Sequence, residues 1–252
     1  MTINIKPVRE MHHHLKALVY GDSGVGKTYL AGSAEGHEGM QGTLIANLEG
    51  GLLTLAGGTA DTTERITETA QLQDLLFQLS PSGALHGKYQ TLVIDSLTEL
   101  QALTLSEILA AECKAKPKRD PNKLELQDYG KSAVMVRSLM RHARNLDMHV
   151  IITALAKEEI PEGGKHPTNV RPDAISTTCR STMALMDHVW YLAVKSNDDG
   201  TPYRALLTQP TGPYKAKTRG ELFARTLGNV VRDPDLAEIY DTFIGTQEQD
   251  KE

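Results

Sequence analysis

Eight residues near the start of the chain, Gly21-Asp22-Ser23-Gly24-Val25-Gly26-Lys27-Thr28, restrict what the rest can fold into. They follow the pattern G-x-x-x-x-G-K-[ST], the phosphate-binding loop called Walker A, which works only between a strand and a helix. An apolar run, Leu15 to Tyr20, precedes the loop, and a helix-compatible run, Tyr29-Leu30-Ala31, follows it. Loop amides and the helix N-terminus together hold an anion, and glycines such as Gly21, Gly24 and Gly26 let the backbone come close to it. In this reading Gly21, Asp22, Ser23, Gly24, Val25, Gly26, Lys27, Thr28 and Tyr29 bind a nucleoside triphosphate. Lys27 reaches the β- and γ-phosphates, and the Thr28 hydroxyl ligates Mg²⁺. The alternative is a glycine-rich turn that arose by chance, and the flanking strand and helix weigh against it. ATP and Mg²⁺ are the expected cofactors.

A chain of 252 residues fits one large α/β domain. That domain is expected to cover 1–252, with 1–14 a lead-in segment and 244–252 a charged tail. Apolar residues make up 40% and aromatics only 5%, so the core must be mostly aliphatic. The formal charge of −5 provides no global positive field, and any nucleic-acid contact must come from local patches. Two cysteines, Cys113 and Cys179, favour a reducing compartment over a disulfide framework. Met1 to Glu10 holds no apolar leader core, and no apolar run approaches bilayer-spanning length. The expectation is a cytoplasmic protein with no membrane partner. His12-His13-His14 reads as a surface lead-in to the first strand; a metal site is the alternative, without a supporting Cys or carboxylate cluster.

Apolar runs at Leu15–Tyr20, Thr43–Leu48, Thr91–Asp95 and His149–Ala154 alternate with helical periodicity at Lys27–Ala34, Thr69–Leu79, Leu97–Cys113 and Tyr129–Asn145. This predicts a mostly parallel central β-sheet flanked by helices. Asp187–Val194 and Tyr203–Leu207 flank Asn197-Asp198-Asp199-Gly200, a hairpin signal that implies a β-rich C-terminal edge. A terminal helix is expected over Asp233–Phe243. Lys114–Asn122 and Lys157–Thr178 look like long loops, which inside a compact domain are usually functional or disordered.

Asp95 closes an apolar strand, TLVID, and fits Walker B, the acid that orients Mg²⁺; a simple strand-end cap is the alternative. Glu49, in Asn47-Leu48-Glu49-Gly50-Gly51, ends the neighbouring run and can position and deprotonate an attacking water. Carboxyl ends of adjacent parallel strands converge on one crevice, so both acids can face the nucleotide. A turn-capping Glu is the alternative there.

Walker A, then Glu49, then Val93-Ile94-Asp95-Ser96 resembles the RecA-like P-loop ATPase core, and the chain looks most like small phage-encoded RecA-like recombination and single-strand annealing proteins. That likeness implies an ATPase that binds single-stranded DNA, promotes annealing or pairing, and assembles with itself into a ring or filament in the host cytoplasm. A single-strand-binding protein is a further candidate partner. It also implies a γ-phosphate sensor after Walker B, but Val150–Leu155 offers only Thr153 where Asn-Gln would stand. The Lys157–Thr178 segment, with Lys157, Lys165, His166, Arg171 and nearby Arg180, would take the place of a DNA-binding loop.

Lys114, Lys116, Lys118, Arg119 and Lys123, with Arg137, Arg141 and Arg144 on the next helix, could track a phosphate backbone. A solvated charged face is the equal alternative. Lys215, Lys217 and Arg219 alternate late in the chain. The likeness implies that such cations reach the γ-phosphate of a neighbouring subunit, as an arginine finger does; an edge strand protected by charge is the alternative. Two other classes share the nucleotide motifs: a helicase-loader or packaging-type motor, and a small-molecule P-loop kinase.

Overall fold

The computed structural model describes Pro7 and residues 13–249. His12, most of the 1–14 lead-in and the last residues of the tail, 250–252, lie outside them. In chain order the elements are β1 (Lys16–Gly21), α1 (Lys27–Gly32), β2 (Thr43–Asn47), β3 (Asp61–Thr62), α2 (Thr69–Leu79), β4 (Thr91–Asp95), α3 (Leu97–Ala115) and α4 (Leu126–Arg144). They continue with β5 (His149–Glu159), β6 (Asn169–Pro172), α5 (Ser176–Leu185), β7 (His188–Ser196), β8 (Pro202–Leu207), β9 (Lys217–Thr218), α6 (Glu221–Leu227), β10 (Val230–Arg232) and α7 (Leu236–Gln249).

The sheet runs β10-β8-β7-β1-β5-β4-β2-β3. From β3 to β7 every pairing is parallel, and β8 and β10 add an antiparallel edge. Successive strand residues point to opposite faces. Leu18, Tyr20, Leu92, Ile94, Val150 and Ile152 therefore enter one core, beneath α2, α3, α4 and α5. Ala17, Val19, Val93, Ile151 and Trp190 enter the other, beneath α1, α6 and α7. Burial on both faces demands unbroken apolar runs, which is why these strands are plain in the sequence.

Several boundaries differ from expectation. The α4 helix begins at Leu126 rather than Tyr129, because Glu125 and Asp128 form a reciprocal capping box. Lys157–Thr178 is not one long loop: 160–168, at the tip of a hairpin, lies outside regular structure. β5 continues to Glu159 and turns back as β6, with Ala156 opposite Pro172 and Glu159 opposite Asn169, and α5 then starts at Ser176. Residues 244–249 of the expected tail continue α7. Among the described residues no helix is long and apolar enough to cross a membrane, and no group of three metal-ligating side chains gathers. His13 is exposed, and His14 Nε2 donates to the Asp147 carboxylate at 2.9 Å.

The amino ends of the central strands bury charge-capable groups. Lys16 donates to the Leu146 and Met148 carbonyls. His149 accepts from the Leu15 amide at 2.9 Å. Burial, helped by His14 and Lys16, pulls the His149 pKa down to about 3 from 6.5. Neutral in the fold and freely protonated once unfolded, His149 stabilises the fold above pH 6.5 and loses that contribution as pH falls towards 3. The urea midpoint should therefore drop between pH 7 and pH 5. His149→Asn, which keeps an acceptor for Leu15 and cannot charge, should flatten that slope.

Candidate active site

The phosphate loop leaves β1 at the carboxyl end of the sheet and enters α1. Gly21 is glycine for a packing reason: a Cβ there would sit 2.2 Å from the Leu192 carbonyl oxygen on β7. Gly26 has φ +99°, a left-handed conformation that side chains resist, and it starts α1. Lys27 is buried, and its ammonium donates to the Gly21 and Asp22 carbonyls at 3.0 and 2.7 Å. Burial lowers its pKa, opposed by the charges of Glu49, Asp95 and Asp22. Nothing lies within 4 Å of a Cβ built on Gly24, so the crest of the loop is open.

Asp95 joins the other parts. Thr28 Oγ1 on α1 donates to Asp95 Oδ2 at 2.9 Å. The Thr153 hydroxyl on β5 donates to the other carboxylate oxygen. The Asp95 carbonyl accepts from the Leu48 and Glu49 amides at 2.9 and 3.0 Å, which fixes Glu49 at the mouth of the same crevice. Burial raises the Glu49 pKa, the Asp95 charge adds to that rise, and Lys27 opposes it. The donors fit Mg·ATP: a hydroxyl beside a carboxylate suits a hard cation that keeps waters and phosphate oxygens for its remaining positions, and the loop amides and Lys27 suit the phosphates. Thr153, the polar residue among the apolar run Val150–Leu155, thereby holds the Asp95 carboxylate in place.

Sequence reasoning missed Arg204. From β8 it reaches back over the sheet, where its Nε donates to the Val25 carbonyl at 3.1 Å and its guanidinium lies 5.2 Å from the Tyr29 ring centroid. No local pattern marks it, because its partner lies 179 positions away.

The expected DNA contacts divide. Arg119 is buried, hydrogen-bonded to Asp128 and near Glu112 and Glu125. Lys116 and Lys131 both bind Glu112, whose pKa their hydrogen bonds pull down to about 2. Arg171 is committed to Glu159 and to the Pro172 and Ala174 carbonyls. Arg144 binds the Leu185 carbonyl. Arg119 and Arg171 thus serve their own chain, because nearby carboxylates and carbonyls claim them, whereas Lys114, Lys118, Lys123, Arg137 and Arg141 are exposed.

The three late cations do not form one extended face. Only Lys217–Thr218 is strand, paired with the first residues of β7, at the end of the sheet opposite the phosphate loop. Arg219 binds Asp187 at 2.5 Å, Lys217 is half-buried and Lys215 is exposed. A cavity of about 740 Å³ also lies at that amino end, lined by Lys16, Arg144, Asp187, His188 and Arg219.

A parallel sheet with helices on both faces, a glycine-rich phosphate loop, and an acid two strands away define a RecA-like P-loop ATPase fold. Residues 13–220 match the AAA domain family, and the chain belongs to it. Among solved structures, a KaiC-like protein from Pyrococcus horikoshii is 13% identical, with 86% of this chain and 89% of that one covered and a TM-score of 0.45. The flagellar accessory protein FlaH from Methanocaldococcus jannaschii is 9% identical, with 86% and 88% covered and a TM-score of 0.38. The RadB recombinase is 15% identical, with 78% and 83% covered and a TM-score of 0.40. None of the curated proteins matches the sequence.

The Thr153 hydroxyl gives a direct test. Removing a group that orients a metal ligand costs about 10- to 100-fold in metal affinity. Thr153→Val should raise the Mg²⁺ concentration needed for nucleotide-dependent stabilisation by that order, seen in melting curves across a Mg²⁺ titration.

Proposed function

We propose that this chain is a Mg²⁺-dependent ATPase that binds single-stranded DNA, assembles with its own copies, and serves strand pairing or annealing in recombination. The observation that carries the ATPase reading is the Thr28–Asp95 contact, with the Glu49 backbone bonded to that same aspartate. Bound Mg·ATP would supply the electrophilic phosphorus and the cation that neutralises its oxygens. Lys27 would exchange the Gly21 and Asp22 carbonyls for phosphate oxygens. Thr28 and Asp95 would hold the metal. Glu49 would orient water and take its proton, a role that its raised pKa suits.

The DNA reading draws on Lys114, Lys118, Lys123, Arg137 and Arg141, the exposed cations of the α3–α4 side. Contacts of this kind supply sequence-independent affinity that weakens as salt rises. Lys215, Lys217 and Arg219 would serve a neighbour's nucleotide. Because Lys217 and Arg219 lie at the amino end of the sheet, this requires a head-to-tail contact, the kind that builds rings or filaments. A motor for DNA loading or packaging shares these nucleotide groups and differs in directional movement. A small-molecule kinase fits less well. Its lid would need free arginines, whereas Arg171 on the β5–β6 hairpin is held by Glu159.

Glu49→Gln should reduce ATP turnover by about two to four orders of magnitude while ATP binding persists in calorimetry. Wild-type turnover should fall as pH drops through the raised Glu49 pKa, because the protonated acid cannot accept a proton. Single-stranded DNA should stimulate the wild type at low salt, and reversing the charge of Lys118, Lys123 and Arg137 together should remove that stimulation and leave the basal rate. A basal rate indifferent to DNA would retire the DNA reading and leave the ATPase standing.

A further inference from the structure

We infer that Arg204 and Tyr29 together form the face on which the purine of the bound nucleotide rests. The inference deepens the ATP-site reading and depends on it. The sheet order fixes the direction in which the nucleotide lies. Glu49 and Asp95 lie on the β2–β4 side of the phosphate loop, and Arg204 lies on the β8 side, across β7. A triphosphate whose γ-end meets Lys27, Asp95 and Glu49 has its α-phosphate at the first turn of α1, beside Thr28 and Tyr29. The nucleoside then leaves towards β7 and β8, where this pair stands.

The pair is built as a surface. Tyr29 is 51% exposed although it follows the buried Lys27 by two positions. Arg204 supports the ring from 5.2 Å, a cation–π arrangement. The residue is anchored at both ends, by its side chain and by its backbone. Nε holds the Val25 carbonyl, while the Arg204 backbone exchanges hydrogen bonds with Asp233, through Oδ1 at 2.8 Å and through the Asp233 amide at 2.7 Å. Arg204 also crowds the loop itself: a Cβ at Gly26 would lie 2.5 Å from its Nε. The late β8–α7 region thereby closes the nucleotide site on the side that the early strands leave open. A π-face carries no donor or acceptor code, so such a platform accepts a purine by stacking rather than by its hydrogen-bonding edge.

Calorimetry with two probes, Mg·ATP and inorganic tripolyphosphate with Mg²⁺, separates the base from the phosphates. Tyr29→Ala and Arg204→Ala should each weaken ATP by about tenfold, the scale of one base–aromatic stack, and leave tripolyphosphate unchanged. Tyr29→Phe should bind both probes as the wild type does. Equal losses for both probes would overturn the inference by placing Arg204 on the phosphates or in mere support of the loop. No loss for either would overturn it too. Lys27→Ala tests the underlying reading separately and should lose both probes; wild-type protein that binds neither would refute that reading and this inference with it. Matched melting curves establish that each variant is folded.

Discussion

The Asp95 side chain and carbonyl are the point on which the site depends. One carboxylate oxygen accepts from Thr28, the other from Thr153, and the carbonyl accepts from two amides that follow β2. Four segments are thereby held in register at an almost fully buried acid, 3% exposed. A carboxylate in that position needs donors on each oxygen, because an unpaired buried charge is costly. Hydroxyls satisfy it without neutralising it, which leaves the charge available for a metal.

The two ends of the sheet have different physical characters. At the carboxyl end, polar groups are shared between elements and face a crevice. At the amino end, Lys16, His149 and His188 are buried at neighbouring strand starts, and burial pulls both histidines well below their ordinary range, His188 to about 4. Those groups hold backbone carbonyls and amides or stack on aromatic rings, as His188 does on Trp190. The polar groups at the carboxyl end meet between elements around a crevice, whereas Lys16, His149 and His188 at the amino end are held in contacts within the chain.

The central strands β1, β2, β4 and β5 were legible in the sequence because double-sided burial leaves unbroken apolar runs, and the turn from β1 into α1 because a phosphate loop constrains consecutive residues. The outer part of β5 and its partner β6 were not. They are an exposed hairpin whose polar side chains pair across strands, as Glu159 does with Asn169 and Arg171, and such residues look like a loop. α5 was hidden by its run of Ser and Thr, which favours caps over helices, although Thr178 and Thr182 are buried in it. Arg119 and Lys123 look alike in a charge run, and only folding shows that one is enclosed by acids and the other is not. Arg204 was out of reach because it meets the loop through tertiary contact alone.

The strand order bears on how the site comes into being during synthesis. β5 lies between β1 and β4 in space yet follows both in the chain. A nascent chain that has delivered the phosphate loop, Glu49 and Asp95 still lacks the strand that spaces them, and the hydroxyl of Thr153 that holds the acid. Domains fold as units behind the ribosome, and here Thr28, Glu49 and Asp95 are made first and aligned last. Arg204 arrives later still. The crevice is complete only in a chain that is nearly finished, which makes it a property of the completed sheet rather than a template for its assembly.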